Sequence, residues 1–242
     1  MSDESFGSRV TRMAALSDPV RRALYRFVAA QPASVSREQA AAGVEVPAHT
    51  ARHHLDRLVE EGLLVTEFRR LTGRTGPGAG RPAKLYRPTE AELSVSVPQR
   101  SYDLAGAVLA EAVERSLAGA PLGRAVDDAA AEAGARAAGA AERTVRRLSP
   151  LRRLARVLAH YGYEPREERS AEPATRALVL ANCPFDRLAS DHTELICGMN
   201  LSFVAAVTEG LGCTGVRPQL DPQPGRCCVR VLSGGDPDPG RP

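Results

Sequence analysis

The stretch from residue 62 to residue 88 limits the possible folds most. Gly62 stops a helical pattern, and Leu63-Leu64-Val65 continued by Thr66-Glu67-Phe68 reads as a strand. TGRTGPGAGRP follows, a loop whose glycines and prolines exclude a helix. Ala83-Lys84-Leu85-Tyr86 then reads as a returning strand. Three short helical patterns precede this hairpin. Asp18-Pro19 is an N-cap followed by proline in the first turn, with Val20, Leu24, Phe27 and Val28 at helical spacing up to Gln31-Pro32. Ser36 caps a second helix, Arg37 to Ala42, with Gln39 placed for a capping box and Gly43 read as its stop. A third runs from about Ala48 to Glu61, with Ala51, Leu55, Leu58 and Val59 on one face.

Helix, helix, helix, strand, basic loop, strand is the order of a winged helix-turn-helix, in which the third helix is expected to enter a DNA major groove. His49, Thr50, Arg52, His53 and His54 near its start are the candidates to meet base edges and phosphates, and Arg57 to meet the backbone. Arg69, Arg70, Arg74, Arg81, Lys84 and Arg87 would follow adjacent phosphates or the minor groove, with only Glu67 opposing them in residues 66–87. Charge agrees: residues 1–90 hold 14 Arg and Lys against 10 Asp and Glu, whereas the rest of the chain holds 18 against 19. His49 and His53 share a helical face, but no third metal ligand lies near them in the sequence. A basic solvated loop, or a winged helix serving as a protein-interaction module, is the alternative.

The chain has 242 residues, 43% of them hydrophobic and 25% charged, enough for two globular domains. No apolar run approaches the ~18–20 residues that span a bilayer, and MSDESFGSRV lacks a signal sequence's apolar stretch, so a cytoplasmic location and no membrane partner are expected. No phosphate loop or paired-carboxylate motif stands out. A thiol enzyme using Cys183 or Cys197 with His192 as base lacks an orienting group, so no enzyme activity is expected.

Residues 101–147 are rich in Ala, Glu and Arg and read as two helices broken near Gly119-Ala120-Pro121. They suit a dimerisation or spacer element, or an intramolecular helix pair. After Ser149-Pro150 come a helix, two strands (163–169 and 176–180), a helix from about Asp191 to Leu211, and strands at 216–220 and 227–232. The fold class is therefore α+β: a winged helix-turn-helix at 1–90, central helices at 91–148, a small α+β domain at 149–232, and a tail at 233–242 rich in Gly, Pro and Asp. All five cysteines, Cys183, Cys197, Cys213, Cys227 and Cys228, fall in the last third. An odd number in a cytosolic chain argues against a disulfide framework, and thiolates favour iron–sulfur clusters or zinc. No C-x2-C pair is present. Cys227 and Cys228, if on a strand, would point to opposite faces.

HTARHHLDRLVEEGLL (49–64) resembles the recognition helices of bacterial winged-helix regulators, and GAGRPAKLYRP (78–88) resembles the wing of the ArsR-like group that includes the SufR-type iron–sulfur repressors. The likeness continues in YGYEP (161–165), NCPF (182–185), ELICGMNLSFV (194–204) and GRCCVRV (225–231). It implies a homodimeric repressor on a double-stranded DNA operator, controlled by an iron–sulfur cluster in a sensor domain, with 4Fe-4S as a candidate type. Cys183, Cys197 and Cys227 would ligate it, with Cys213 and Cys228 as further candidates. The chain departs from the group near Leu220, where a cysteine is expected, so the fourth ligand is open between His192, a carboxylate and a small molecule. A regulator sensing zinc or an organic effector, without a cluster, is the competing reading.

Overall fold

The computed structural model describes residues 6–70, 82–169 and 176–234. The chain divides into two compact units, residues 1–95 and 96–242. The central helices thus share a unit with the C-terminal sheet and do not form a segment of their own.

The first unit contains α1 (Phe6–Ala14), a 3-10 turn at Ala15–Ser17, α2 (Pro19–Ala29), β1 (Val35–Ser36), α3 (Arg37–Gly43), α4 (Ala48–Glu60), β2 (Leu64–Arg69) and β3 (Ala83–Pro88). Both expected caps form. The Asp18 carboxylate accepts from the Arg21 amide at 2.8 Å, and Ser36 and Gln39 exchange hydrogen bonds of 3.2 and 2.8 Å. Leu24 and Val28 of α2, Ala40 and Ala41 of α3, Ala51, Leu55 and Leu58 of α4, and Leu64 and Tyr86 of the hairpin close one core. Each fully buried leucine contributes about 1.5–3 kcal/mol. β2 and β3 pair antiparallel from Leu64↔Pro88 to Arg69↔Ala83. β1, too short to leave a periodic signature, adds to the outer side of β3 through Val35↔Tyr86.

Two glycine assignments differ in kind. Gly62, at φ 67°, terminates α4 as expected, with the Leu63 amide donating back to the Leu58 carbonyl at 2.9 Å. Gly43 is not the left-handed stop of α3. That place belongs to Glu45, at φ 57°, with the Val46 amide donating to the Ala41 carbonyl at 3.0 Å. Gly43 is small for another reason: a Cβ there would overlap the Phe27 ring.

The second unit contains α5 (Tyr102–Leu117), α6 (Leu122–Val145), α7 (Pro150–His160), β4 (Pro165–Arg169), β5 (Arg176–Leu180), α8 (Asp186–Asp191), α9 (Thr193–Gly210), β6 (Val216–Leu220) and β7 (Val229–Ser233). The four strands form an antiparallel sheet in the order β4-β5-β7-β6. α9 lies between α6 and the sheet, which accounts for its burial of Ile196, Met199, Phe203, Val204 and Val207 around most of its girth. The helix expected from about Asp191 to Leu211 is α9, and His192 separates it from the short α8, which the sequence did not announce.

Candidate nucleic-acid interface and thiol cluster

α4 turns Ala51, Leu55 and Leu58 inward, which leaves Ala48, His49, Arg52, His53, Arg57 and Glu60 exposed on the opposite face. Thr50 is half-buried. The helix begins at Pro47 with no side-chain cap, so its first-turn amides and the macrodipole face solvent, where a phosphate is favoured. His49, Arg52, His53, Asp56, Arg57 and Glu60 line one shallow hollow on this face.

The candidate contacts are not equally free. His54 is turned toward α2: its Nδ1 accepts from Arg21 Nε at 3.4 Å and lies 4.0 Å from the Asp18 carboxylate. Burial, opposed by Asp18 and aided by Arg21, holds its pKa below the ordinary histidine value. Arg57 is paired with Glu60 at 3.2 Å and with Glu61. Lys84 donates to Asp56 at 2.7 Å and lies over the Tyr86 ring. Arg87 is 3.5 Å from Glu90. Arg69 and Arg70 are exposed at the loop end of the hairpin, while Arg74 and Arg81 lie outside the described residues. Arg52 is the most exposed of the charged recognition-helix candidates with a pairing distance, 67% accessible and 3.6 Å from Asp56.

Asp56 was not anticipated. Its carboxylate accepts from both Lys84 and, at 3.1 Å, the Tyr86 hydroxyl, locking α4 to β3. Burial alone would raise its pKa, but these hydrogen bonds and the charges of Lys84 and Arg52 outweigh that and hold it low. Its position four residues after Arg52 was the available signal.

Residues 16–67 match the family model described as a helix-turn-helix domain. This chain carries a helix-turn-helix domain. The match spans the 3-10 turn through most of β2, well under half the chain, and a domain of this kind points to a DNA-binding transcriptional regulator. No curated protein and no solved structure matches the chain.

The cysteines sort cleanly. Cys183 follows β5, Cys197 lies one turn into α9, and Cys227 and Cys228 precede β7. Cys183 and Cys227, Cys227 and Cys228, and Cys228 and Cys197 lie close enough to perturb one another's thiol ionisation. Cys213 stands apart: its thiol donates to the Pro150 carbonyl at 3.4 Å, beside Arg153. The last strand, expected from Cys227, begins at Val229, so both cysteines lie just ahead of β7 and the alternation that would turn strand neighbours to opposite faces does not apply to them. His192 is exposed.

The loops are pinned. Arg100 donates to the Cys183 carbonyl at 3.0 Å and to the Asn182 side chain, and Asn182 donates to the Gln99 carbonyl at 2.8 Å. The Cys227 amide donates to the Leu180 carbonyl at 2.9 Å, and the Cys228 carbonyl accepts from the Asp221 amide at 2.7 Å. Asp221 in turn holds Arg226 at 2.8 Å and Arg230 at 3.4 Å.

The neighbouring Cys183 favours the Cys227 thiolate, but Cys228 and burial prevail, and the thiol is pushed up to about 11. Cys183 is raised by the neighbouring Cys227 and by burial. Among the described residues no group of three or more His, Cys, Asp or Glu is disposed to hold a metal ion as the side chains stand. As a donor set, four soft sulfurs on three pinned segments suit an iron–sulfur cluster, whose ligands lose their protons on binding. Among the described residues no helix is long and apolar enough to cross a membrane.

Proposed function

We propose that this protein is a homodimeric, cytoplasmic transcriptional repressor whose operator affinity is set by an iron–sulfur cluster held by Cys183, Cys197, Cys227 and Cys228. The observation that carries the DNA half is the uncapped, outward face of α4 with His49, Arg52 and His53 on a helix-turn-helix scaffold. What supports the sensor half is that four of the five cysteines lie close enough to perturb one another, with Asn200 directed at the Cys227 sulfur.

On the DNA side the chain's residues bind and orient. Arg52 has the reach and the planar fork to read a guanine edge. Arg69 and Arg70 neutralise backbone phosphates. Asp56, by holding Lys84 and Tyr86, sets the angle between recognition helix and wing, and so acts through them and not on the bases. A two-fold dimer would present two such helices about one helical turn apart. On the sensor side the four cysteines hold sulfur at fixed places, and Arg100 and Asn182 keep the Cys183 loop from collapsing. When bound, the cluster would supply a centre that changes charge on reduction and is lost on oxidation.

The test has two readouts on the full-length protein. Purified without oxygen, the wild type is expected to be brown, with matching iron and sulfide, and single serine replacements of Cys183, Cys197, Cys227 or Cys228 are expected to lower iron while Cys213→Ser does not. Double-stranded DNA selected from a random-sequence pool is expected to bind with an affinity that falls steeply with salt. Arg52→Ala is expected to weaken the selected site by about 1–3 kcal/mol and to relax its sequence preference. A colourless, iron-free protein that still binds selected DNA would overturn the cluster and leave the regulator, with zinc or an organic effector as its signal.

A further inference from the structure

Beside the thiols lies a buried polar pair that the sequence motifs did not single out. Asn200 is on α9, three residues after Cys197 and so on nearly the same face, and it is wholly buried. Its amide nitrogen donates to the Cys227 sulfur at 3.1 Å. Its amide oxygen accepts from the Tyr163 hydroxyl at 2.6 Å. Tyr163 is 2% exposed and stands edge-on to Phe185, two residues after Cys183. In this orientation the phenol hydrogen goes to the amide oxygen, which leaves the amide N–H directed at sulfur.

Burying an amide and a phenol is costly unless each is satisfied. Here they satisfy each other and leave one N–H aimed at a single sulfur. A neutral thiol is a weak acceptor and gives that N–H little. An anionic sulfur is a strong one, because hydrogen bonds to charged groups are roughly twice as strong as neutral ones. The arrangement is therefore matched to a deprotonated, cluster-ligating Cys227.

We propose that Asn200, held in one orientation by Tyr163, is a positioning residue for the Cys227 sulfur that sets the reduction potential of the site and its hold on the cluster. This rests on the cluster reading of the four cysteines. A hydrogen bond to a cluster sulfur stabilises the more negative, reduced state, so the Asn200 N–H raises the potential. It also fixes the ligand's orientation, and removal of such supporting contacts costs on the order of 10–100-fold in metal affinity.

The experiment compares anaerobically loaded wild type with the Asn200→Leu/Tyr163→Phe double variant, which removes both partners in similar volume and leaves no orphaned polar group. Iron and sulfide are assayed first, then the midpoint potential with dithionite as reductant, then the rate of iron loss to a chelator. The expected result is a more negative potential and iron loss about 10–100-fold faster. A double variant that keeps its secondary structure and its DNA binding but retains no cluster, where the wild type does, supports the proposal as well. Equal potentials and equal loss rates in loaded protein overturn it. A wild type that takes up no cluster overturns the cluster reading and this inference together, and the wild-type iron assay separates that failure from the other. If the double variant does not fold, Tyr163→Phe alone, which keeps the ring against Phe185 and frees the amide to turn, decides by the same two measurements with a smaller shift.

Discussion

At the scale of single residues, two side chains of the helix-turn-helix domain depart from their usual conditions, and each departure is measurable. His54 is half-buried with Arg21 on its Nδ1. Burial, more than Asp18 can offset, keeps it neutral in the folded chain. Its folded pKa lies below the unfolded value near 6.5, so between the two the unfolded chain binds the extra proton and stability rises with pH. The contribution is complete above pH 6.5 and is lost as pH falls through the folded pKa. Urea denaturation at intervals from about pH 7.5 to 5 should show wild-type stability falling on the acid side, and His54→Gln should flatten that part of the curve. An unchanged slope would mean that His54 is not the group responsible. Glu45 holds φ 57° in the turn between α3 and α4, a conformation that costs a residue with a Cβ about 1–2 kcal/mol. Glu45→Gly removes that strain at the expense of backbone entropy, and a net gain of about 0.5–1 kcal/mol in urea stability is expected. A loss of stability would show that the Glu45 side chain contributes more than its backbone costs.

Among the elements, the α6–α9 contact explains the alanines. Ala129, Ala130, Ala133, Ala137 and Ala138 are buried on α6. A Cβ on Gly134 would overlap the Phe203 carbonyl of α9, and one on Gly210 would come within 2.7 Å of the Ala138 Cβ. Small residues at these places let two backbones approach more closely than leucine-lined helices can. Gly134→Ala forces a methyl group against backbone, which cannot move aside as a side chain would. A destabilisation of about 1–3 kcal/mol is expected, even though alanine is the better helix former, and calorimetry of the purified variant would check it. A higher melting temperature would show that α6 and α9 are free to separate. The first unit was legible because its signals are local: caps at Asp18 and Ser36, periodic leucines on α4, and Gly62 all act within a few residues of each other. The partner of α6 was not legible, because α9 lies far along the chain and an alanine stripe is as compatible with another copy as with a distant helix of its own. The candidate sites divided in the same way. Motif resemblance pointed to Cys183, Cys197 and Cys227, whereas the proposal of Cys228 in place of Cys213 rests on spatial neighbourhood, which no motif carries. Asn200 and Tyr163 act through partners distant in sequence, which no local pattern reports, and for Asp56 the local signal was its spacing from Arg52, not its hold on Lys84 and Tyr86.

For the molecule as a whole, the two units are joined in function only if the state of the thiol site and the binding of DNA change each other's free energy. Such coupling is reciprocal. If the reduced and oxidised forms of the loaded protein differ in affinity for the selected DNA by some factor, saturating DNA must shift the cluster's potential by the corresponding amount. For a one-electron change a tenfold difference in affinity corresponds to about 59 mV. The direction is fixed as well: DNA that binds the oxidised form more tightly makes reduction harder and moves the potential down, and DNA that binds the reduced form more tightly moves it up. Midpoint titrations with and without the selected duplex, alongside affinities measured in each redox state, close the cycle from four independent measurements. Agreement between the potential shift and the affinity ratio would establish that α4 and the four cysteines belong to one switch. Equal affinities with equal potentials would separate them: the C-terminal unit would then regulate only by gain and complete loss of the cluster. The same comparison made between loaded and cluster-free protein would detect that, because a ligand acts on an equilibrium only through its unequal affinity for the two states.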